Sequence, residues 1–228
     1  MRRGRSVLLV DLDPQASASS VLGAGGDDGP TMSDVMVHDD CALADAVRPT
    51  AWGLSVAPAD RELRAADIGD TAEYDAILPR QLGTAGEYDL MLIDCPPNLG
   101  TLTINALAAT SRALVVTEPT TLALRAMEEL LDTLRDVAAE RNPSLELAGV
   151  VLNRVEATAE HRQSVAELEE MFGSQLWLPH VPKRAILQDA MRQGLPAQDL
   201  QSHSHYATEI AEIFDALALR LEATQVKA

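Results

Sequence analysis

The chain has 228 residues, 46% hydrophobic and 23% charged, enough for one sizeable α/β core, and its apolar runs fall short of the roughly 20 residues a membrane span needs. Its 18 basic against 35 acidic residues give a formal charge of −17, which opposes whole-surface attraction to nucleic acid while leaving room for a local basic patch; 3% aromatic residues argue against base-stacking platforms. Cys41 and Cys95 form no Cys-x-x-Cys pair and no signal-peptide pattern opens the chain, so neither a disulfide framework nor a thiolate zinc site is indicated and the expected location is the cytoplasm.

Short apolar runs alternate with longer amphipathic ones, which predicts an α/β fold with a mostly parallel sheet flanked by helices. Strands are expected over 7–10, 54–57, 90–93, 113–116 and 147–152, with 176–178 as a sixth candidate. Their near-continuous apolar character predicts that both sheet faces are covered. The first strand runs into "DLDPQ", 11–15. The stretch "GAGGDDGP", 23–30, reads as a loop before a weakly helical acidic segment ending near Val47. In "YDLMLIDCPPNLG", 88–100, Asp94 ends a strand, and Pro96 and Pro97 forbid further ladder bonding before a helix expected to start near Leu99.

Three longer helices follow. Over 122–138, Leu124, Met127, Leu130, Leu131, Leu134 and Ala138 recur at three- and four-residue steps, and Asn142-Pro143 stops the pattern. The second, over 160–172, is expected to turn Val165, Leu168, Met171 and Phe172 inward, and the third, over 205–223, Ile210, Phe214, Leu217 and Leu221. No internal repeat is present, and a single domain over 1–228 is expected.

In open α/β sheets ligands bind beyond the carboxyl ends of the strands, where Asp11, Asp13 and Asp94 would lie. Three carboxylates at one rim repel unless a cation offsets them, and a hydrated magnesium ion suits such a set. Each aspartate taken alone also reads as a cap of a turn or helix. His203 and His205 lack a third ligand at useful spacing for a metal.

These two segments, "VLLVDLDPQASASSVLG" and "YDLMLIDCPPNLGTLTINALAAT", closely resemble signatures of the ParA family of deviant Walker ATPases, which partition plasmids and chromosomes and are related to MinD. The similarity continues through "ALVVTEPTTLALRAMEELLDTL", "GVVLNRV" and "LPHVPKRAILQDAMRQGLP", in the family's order. The resemblance implies a P-loop NTPase-like fold, ATP and Mg2+ as cofactors, and roles at matching positions. Asp94 matches the Walker B aspartate that holds magnesium through water. Asp13 matches the residue that orients the attacking water, and Asp11 resembles part of the same magnesium shell. Asn153 and Arg154 in "LNR", with Pro182 and Lys183 in "VPK", resemble nucleotide-contacting segments; Gly100 and Thr101 lie in what would be the switch sensing the γ-phosphate. Family members form nucleotide-bound homodimers, bind DNA without sequence preference and answer to a ParB-like centromere-binding protein, with no membrane involved. Lys183, Arg184 and Arg192 are the candidate DNA contacts, with Arg154 and Arg162 behind them. The family often places a further basic residue where this chain has Ile186.

One part of the family pattern is absent from the sequence. The lysines are Lys183 and Lys227, neither follows a glycine, and "GAGGDDGP" has aspartates where a P-loop needs a lysine and a hydroxyl. P-loop amides, lysine and helix N-terminus supply most of the positive potential around bound phosphates. ATP binding and hydrolysis by residues 1–228 alone are therefore expected to be negligible. The family's P-loop strand is interior, so its lack is expected to leave strand edges unpaired. Two expectations follow: a chain truncated at its N-terminus relative to the family, with the first strand and P-loop missing, or a pseudo-ATPase binding module that regulates an intact homologue.

Overall fold

The computed structural model describes residues 4–25, 29–38, 41–68, 76–200 and 204–225. Within them the chain forms two compact units, residues 1–110 and 111–228. His203, and part of the 23–30 loop, lie outside the described residues.

The first unit runs β1 (Val7–Asp11), α1 (Ser17–Val21), a π turn at Asp34–His38, α2 (Leu43–Ala46), β2 (Arg48–Pro49), β3 (Ser55–Ala57), α3 (Arg64–Ile68), α4 (Ile77–Gln81), β4 (Leu90–Asp94) and α5 (Thr101–Ala109). Its sheet has the order β2-β3-β1-β4. β1 is parallel to both β3 and β4, in a register that places Asp11 opposite Asp94, while β2 adds an antiparallel edge at Pro49. Pro49 suits an edge because it lacks the donor an interior strand requires. Leu8 and Val10 on β1 are fully buried and pack with Met32, Leu43, Leu63, Leu78 and Leu102. Each such burial stabilises the fold by about 1.5–3 kcal/mol before entropy is counted. The helix after Pro96-Pro97 starts at Thr101 rather than near Leu99, because Gly100 is still extended and Asn98 O accepts from Thr103 Oγ1 at 2.7 Å.

The second unit runs β5 (Arg112–Thr117), α6 (Thr121–Glu140), β6 (Glu146–Leu152), α7 (Ala159–Phe172), β7 (Leu176–Trp177), α8 (Ala185–Gln193) and α9 (Ser204–Gln225). The three strands are parallel in the order β5-β6-β7. Thr120 and Thr158 cap α6 and α7, accepting the amides of Ala123 and His161, and Gly194 ends α8 with φ 61. Gly149 in β6 lies under the Trp177 indole so closely that a Cβ there would overlap the ring; Trp177 Nε1 donates to Ala148 O at 3.2 Å and Arg220 stacks over the ring at 5.7 Å.

Two packing expectations are corrected. Met171 is exposed, and Phe214 is 45% exposed while its neighbour Ile213 is buried, because the inward stripe of α9 runs through Ile210, Ile213 and Leu217. The strands are also less covered than their composition predicts: Leu92 on β4 is 38% exposed, Leu114 and Val116 on β5 are 37% and 59% exposed. β4 ends the first sheet and β5 the second, each paired on one side only among the described residues. Both have the composition of interior strands, with a charge only at one end, Asp94 on β4 and Arg112 on β5.

Candidate functional site

At the carboxyl end of the first sheet, β1 and β4 deliver Asp11, Asp13 and Asp94 to one rim, tied by Leu12 N donating to Asp94 O at 2.8 Å. The three carboxylates take different roles there. Asp11 is fully buried: Oδ1 accepts from Asp13 N at 3.0 Å, and Oδ2 accepts from Ser19 N at 2.9 Å and Ser19 Oγ at 2.6 Å. Ser19 Oγ in turn accepts from Ala59 N at 3.0 Å, so Asp11 knits β1, α1 and the segment after β3 together. Both Asp11 oxygens thus accept from internal donors, and Asp11 orders the turn that carries Asp13.

Asp13 is half-buried, and its Oδ1 accepts from Gln15 N at 2.9 Å in an Asx turn that brings Ala16 into the left-handed region at φ 52. Asp94 is exposed. Desolvation beside the strand ends, then the like charges of Asp11 and Asp13, push its carboxyl up to about 6. Because Asp94 faces solvent, water screens part of that desolvation. Beside it, burial and then the Asp94 charge push the Cys95 thiol up to about 12, so it is an inert hydrophobe. No group of three or more His, Cys, Asp or Glu side chains converges to hold a metal among the described residues.

Gly100 and Thr101 follow at the start of α5; Thr101 is buried, 5% exposed, and Gly100 is pressed by Asp67 of α3. Asp67 and Ser19 were missed in the sequence. Both contacts are long-range, and no spacing rule reveals them.

In the second unit the two segments expected to contact nucleotide do meet. Val155 bridges Pro182 in parallel, Val155 N donates to Val181 O at 3.0 Å and Lys183 N to Val155 O at 3.0 Å. Asn153 Oδ1 accepts from Arg154 N at 2.9 Å, and Arg154 adopts φ 55. A cavity of about 640 Å³ is lined by Val155, Val165, His180, Pro182 and Ile213 with Arg184 and Glu209; Asn153 and Lys183 are not in its wall. His161, His180 and Glu209 join this region without a warning in the local sequence.

Four of the five candidate DNA contacts are held by an acid. Lys183 Nζ lies 2.9 Å from Glu156, Arg184 forks onto Glu209 at 2.9 and 3.1 Å, Arg192 lies 2.5 Å from Asp189 and Arg154 3.2 Å from Glu118. Arg162 donates to Ala157 O at 3.0 Å. Ile186, where the family often carries a base, is 1% exposed and belongs to the core.

A hydrated divalent cation fits the first-unit rim in part. Asp94 and Asp13 have oxygens open to it, and the charges acting on Asp94 are both negative. The sequence contains no glycine-lysine turn, and Arg154, Lys183, Arg184 and Arg192 are each paired with an acid.

Residues 1–147 match a sequence family described as an AAA domain. The sporulation initiation inhibitor protein Soj of Bacillus subtilis is 35% identical over 199 residues, covering 85% of this chain and 78% of Soj. The chromosome partitioning protein ParA of Caulobacter vibrioides is 33% identical over 200 residues, 85% of this chain and 75% of that protein. Among solved structures, cobyrinic acid a,c-diamide synthase from Mycobacterium smegmatis with bound ADP and magnesium superposes with a TM-score of 0.71 at 30% identity, covering 89% of this chain and 84% of that one.

Proposed function

Because the chain belongs to the ParA family of partitioning ATPases, we propose that residues 1–228 supply the metal- and water-positioning side of an ATP-switched, DNA-associated partitioning site, and that the phosphate-binding side comes from a segment outside them. The observation that supports this reading is the rim itself: Asp94, raised to about 6, beside Asp13 and Asp11 with no compensating base acting on it.

Roles follow from where the side chains stand. Asp94 and Asp13 would hold a hydrated magnesium ion, which when bound offsets the like charge and polarises a phosphate oxygen or water. Asp13, in its Asx turn, is placed to orient water. Asp11 holds Asp13 in place and excludes water from the end of β1. Gly100 and Thr101 begin the helix that faces the turn after Asp94, and Asn153, Arg154, Pro182 and Lys183 form one bridged segment suited to the base of a nucleotide.

DNA association through Lys183, Arg184 and Arg192 is weak in this reading, because each cation must first leave an acid, and it falls steeply with salt. A nucleotide-held homodimer and a ParB-like partner belong to the same proposal. The presence of ADP and magnesium in the mycobacterial synthase and the partitioning role in the Caulobacter relative's name support it. No described helix is long and apolar enough to cross a membrane.

The test is isothermal titration of Mg-ATP into purified 1–228, with mass measured on the same sample. No binding heat is the expected result. Micromolar binding would show that these residues hold a phosphate cradle of their own and would end this reading. A folded, non-binding monomer that associates with an intact homologue would favour the pseudo-ATPase module.

A further inference from the structure

We propose that Asp67 is a releasable latch, holding the turn that carries Asn98 and Gly100 against α3. Asn98 Nδ2 donates to Asp67 Oδ2 at 2.6 Å, and the other oxygen, Oδ1, is buried with no hydrogen-bond partner among the described residues. That second oxygen lies against Gly100: a Cβ added there would overlap Oδ1 and reach within 3.0 Å of Asp67 Cγ.

Gly100 has φ −80 and ψ −170, an extended conformation open to any residue. The glycine is therefore required by the space the carboxylate takes and not by backbone conformation. Gly100 is also the residue before the first turn of α5 and has no side chain to cap it.

The arrangement holds the turn without satisfying itself. A half-paired carboxylate with one buried, unpartnered oxygen is a poor resting state, and opening to water regains solvation that the closed form forgoes. The turn is anchored on its other side by Thr103 Oγ1 on Asn98 O, so α5 keeps its start when Asp67 lets go. Displacement of Gly100 toward α3 meets the carboxylate; displacement away frees it. The position of the turn after β4 is thereby transmitted to α3, and from α3 to Asp60, whose side chain caps the 3-10 turn at Arg61–Leu63 and accepts from Thr31 Oγ1 at 2.5 Å. The latch is a property of the chain itself and needs no nucleotide, so it stands or falls separately from the function proposed above.

The experiment is a double-mutant cycle on 1–228 with Gly100→Ala, Asp67→Ala and the double variant, read by thermal midpoint and by amide hydrogen exchange over 61–68 and 96–104. Gly100→Ala is expected to expel Asp67 and speed exchange over 61–68 by about tenfold, the factor expected when a local closed state loses somewhat over 1 kcal/mol. Asp67→Ala is expected to speed exchange over 96–104 while leaving the midpoint nearly unchanged, since it also removes the unpartnered oxygen. In the double variant the Gly100→Ala effect should largely vanish. Asp67→Asn, which keeps the acceptor for Asn98 but presses an NH2 group against Gly100 in place of the carboxylate oxygen, should hold less well than the native acid. Equal Gly100→Ala effects with and without Asp67 would overturn the proposal, as would a lowered midpoint for Asp67→Ala with unchanged exchange over 96–104.

Discussion

Asp94→Asn should stabilise the chain near neutral pH and lose that advantage in acid. The Asp94 carboxyl is raised from 3.8 to about 6, first by desolvation and then by Asp11 and Asp13. A folded-state value above the unfolded one means that folding takes up a proton between the two. The group's stabilising contribution is therefore complete below about pH 4 and lost as the pH rises through about 6. A rise of that size corresponds to about 3 kcal/mol as an upper bound, at about 1.4 kcal/mol for each tenfold change in proton affinity. Asp94 is exposed, so solvent screening reduces this to about 1 kcal/mol. The asparagine keeps the shape and removes the repelling charge. Its thermal midpoint should exceed that of the native chain by about 2–4 °C at about pH 7, as expected for this chain length. At about pH 4.5, where native Asp94 is mostly protonated, the gap should close. Thermal melts at both pH values, with and without millimolar magnesium, decide the matter. Magnesium should raise the midpoint of the native chain at neutral pH and leave that of the asparagine variant unmoved. A variant less stable than native at pH 7, or a gap independent of pH, would refute the reasoning.

The remaining expectations concern packing and edges. Gly149→Ala places a Cβ inside the Trp177 indole, and denaturant unfolding should show a loss of about 1–3 kcal/mol. Ser19→Ala removes a donor from Asp11 and an acceptor from Ala59 N in a buried setting, with a loss of about 1–3 kcal/mol by the same measurement; a neutral result would remove Asp11 from its positioning role. Val116→Lys on the open side of β5 should reduce self-association in light scattering while leaving the melting midpoint close to native, because Val116 is 59% exposed.

The sequence by itself determined the strands, the long helices and the acids at the strand ends. Strand bounds agree within one or two residues, since apolar runs ending in Asp11 or in Asp94-Cys95-Pro96 admit few other conformations. It also determined the family, because "DLDPQ" and "DCPPNLG" are long and specific, and it showed that no lysine-bearing glycine loop is present. Tertiary structure alone decided what those acids do. Asp11 and Asp13 differ by two residues in sequence, yet one is enclosed by Ser19 and the other is left open; the distinction rests on contacts that span eight residues or more. The same holds for the basic residues. Lys183 and Arg184 read as free cations in the chain, and folding sets Glu156 and Glu209 against them from 27 and 25 residues away. Local pattern fixes which face a residue belongs to through short-range sterics and periodic burial, whereas charge compensation and the fate of a carboxylate depend on partners that only chain crossing brings within hydrogen-bond reach.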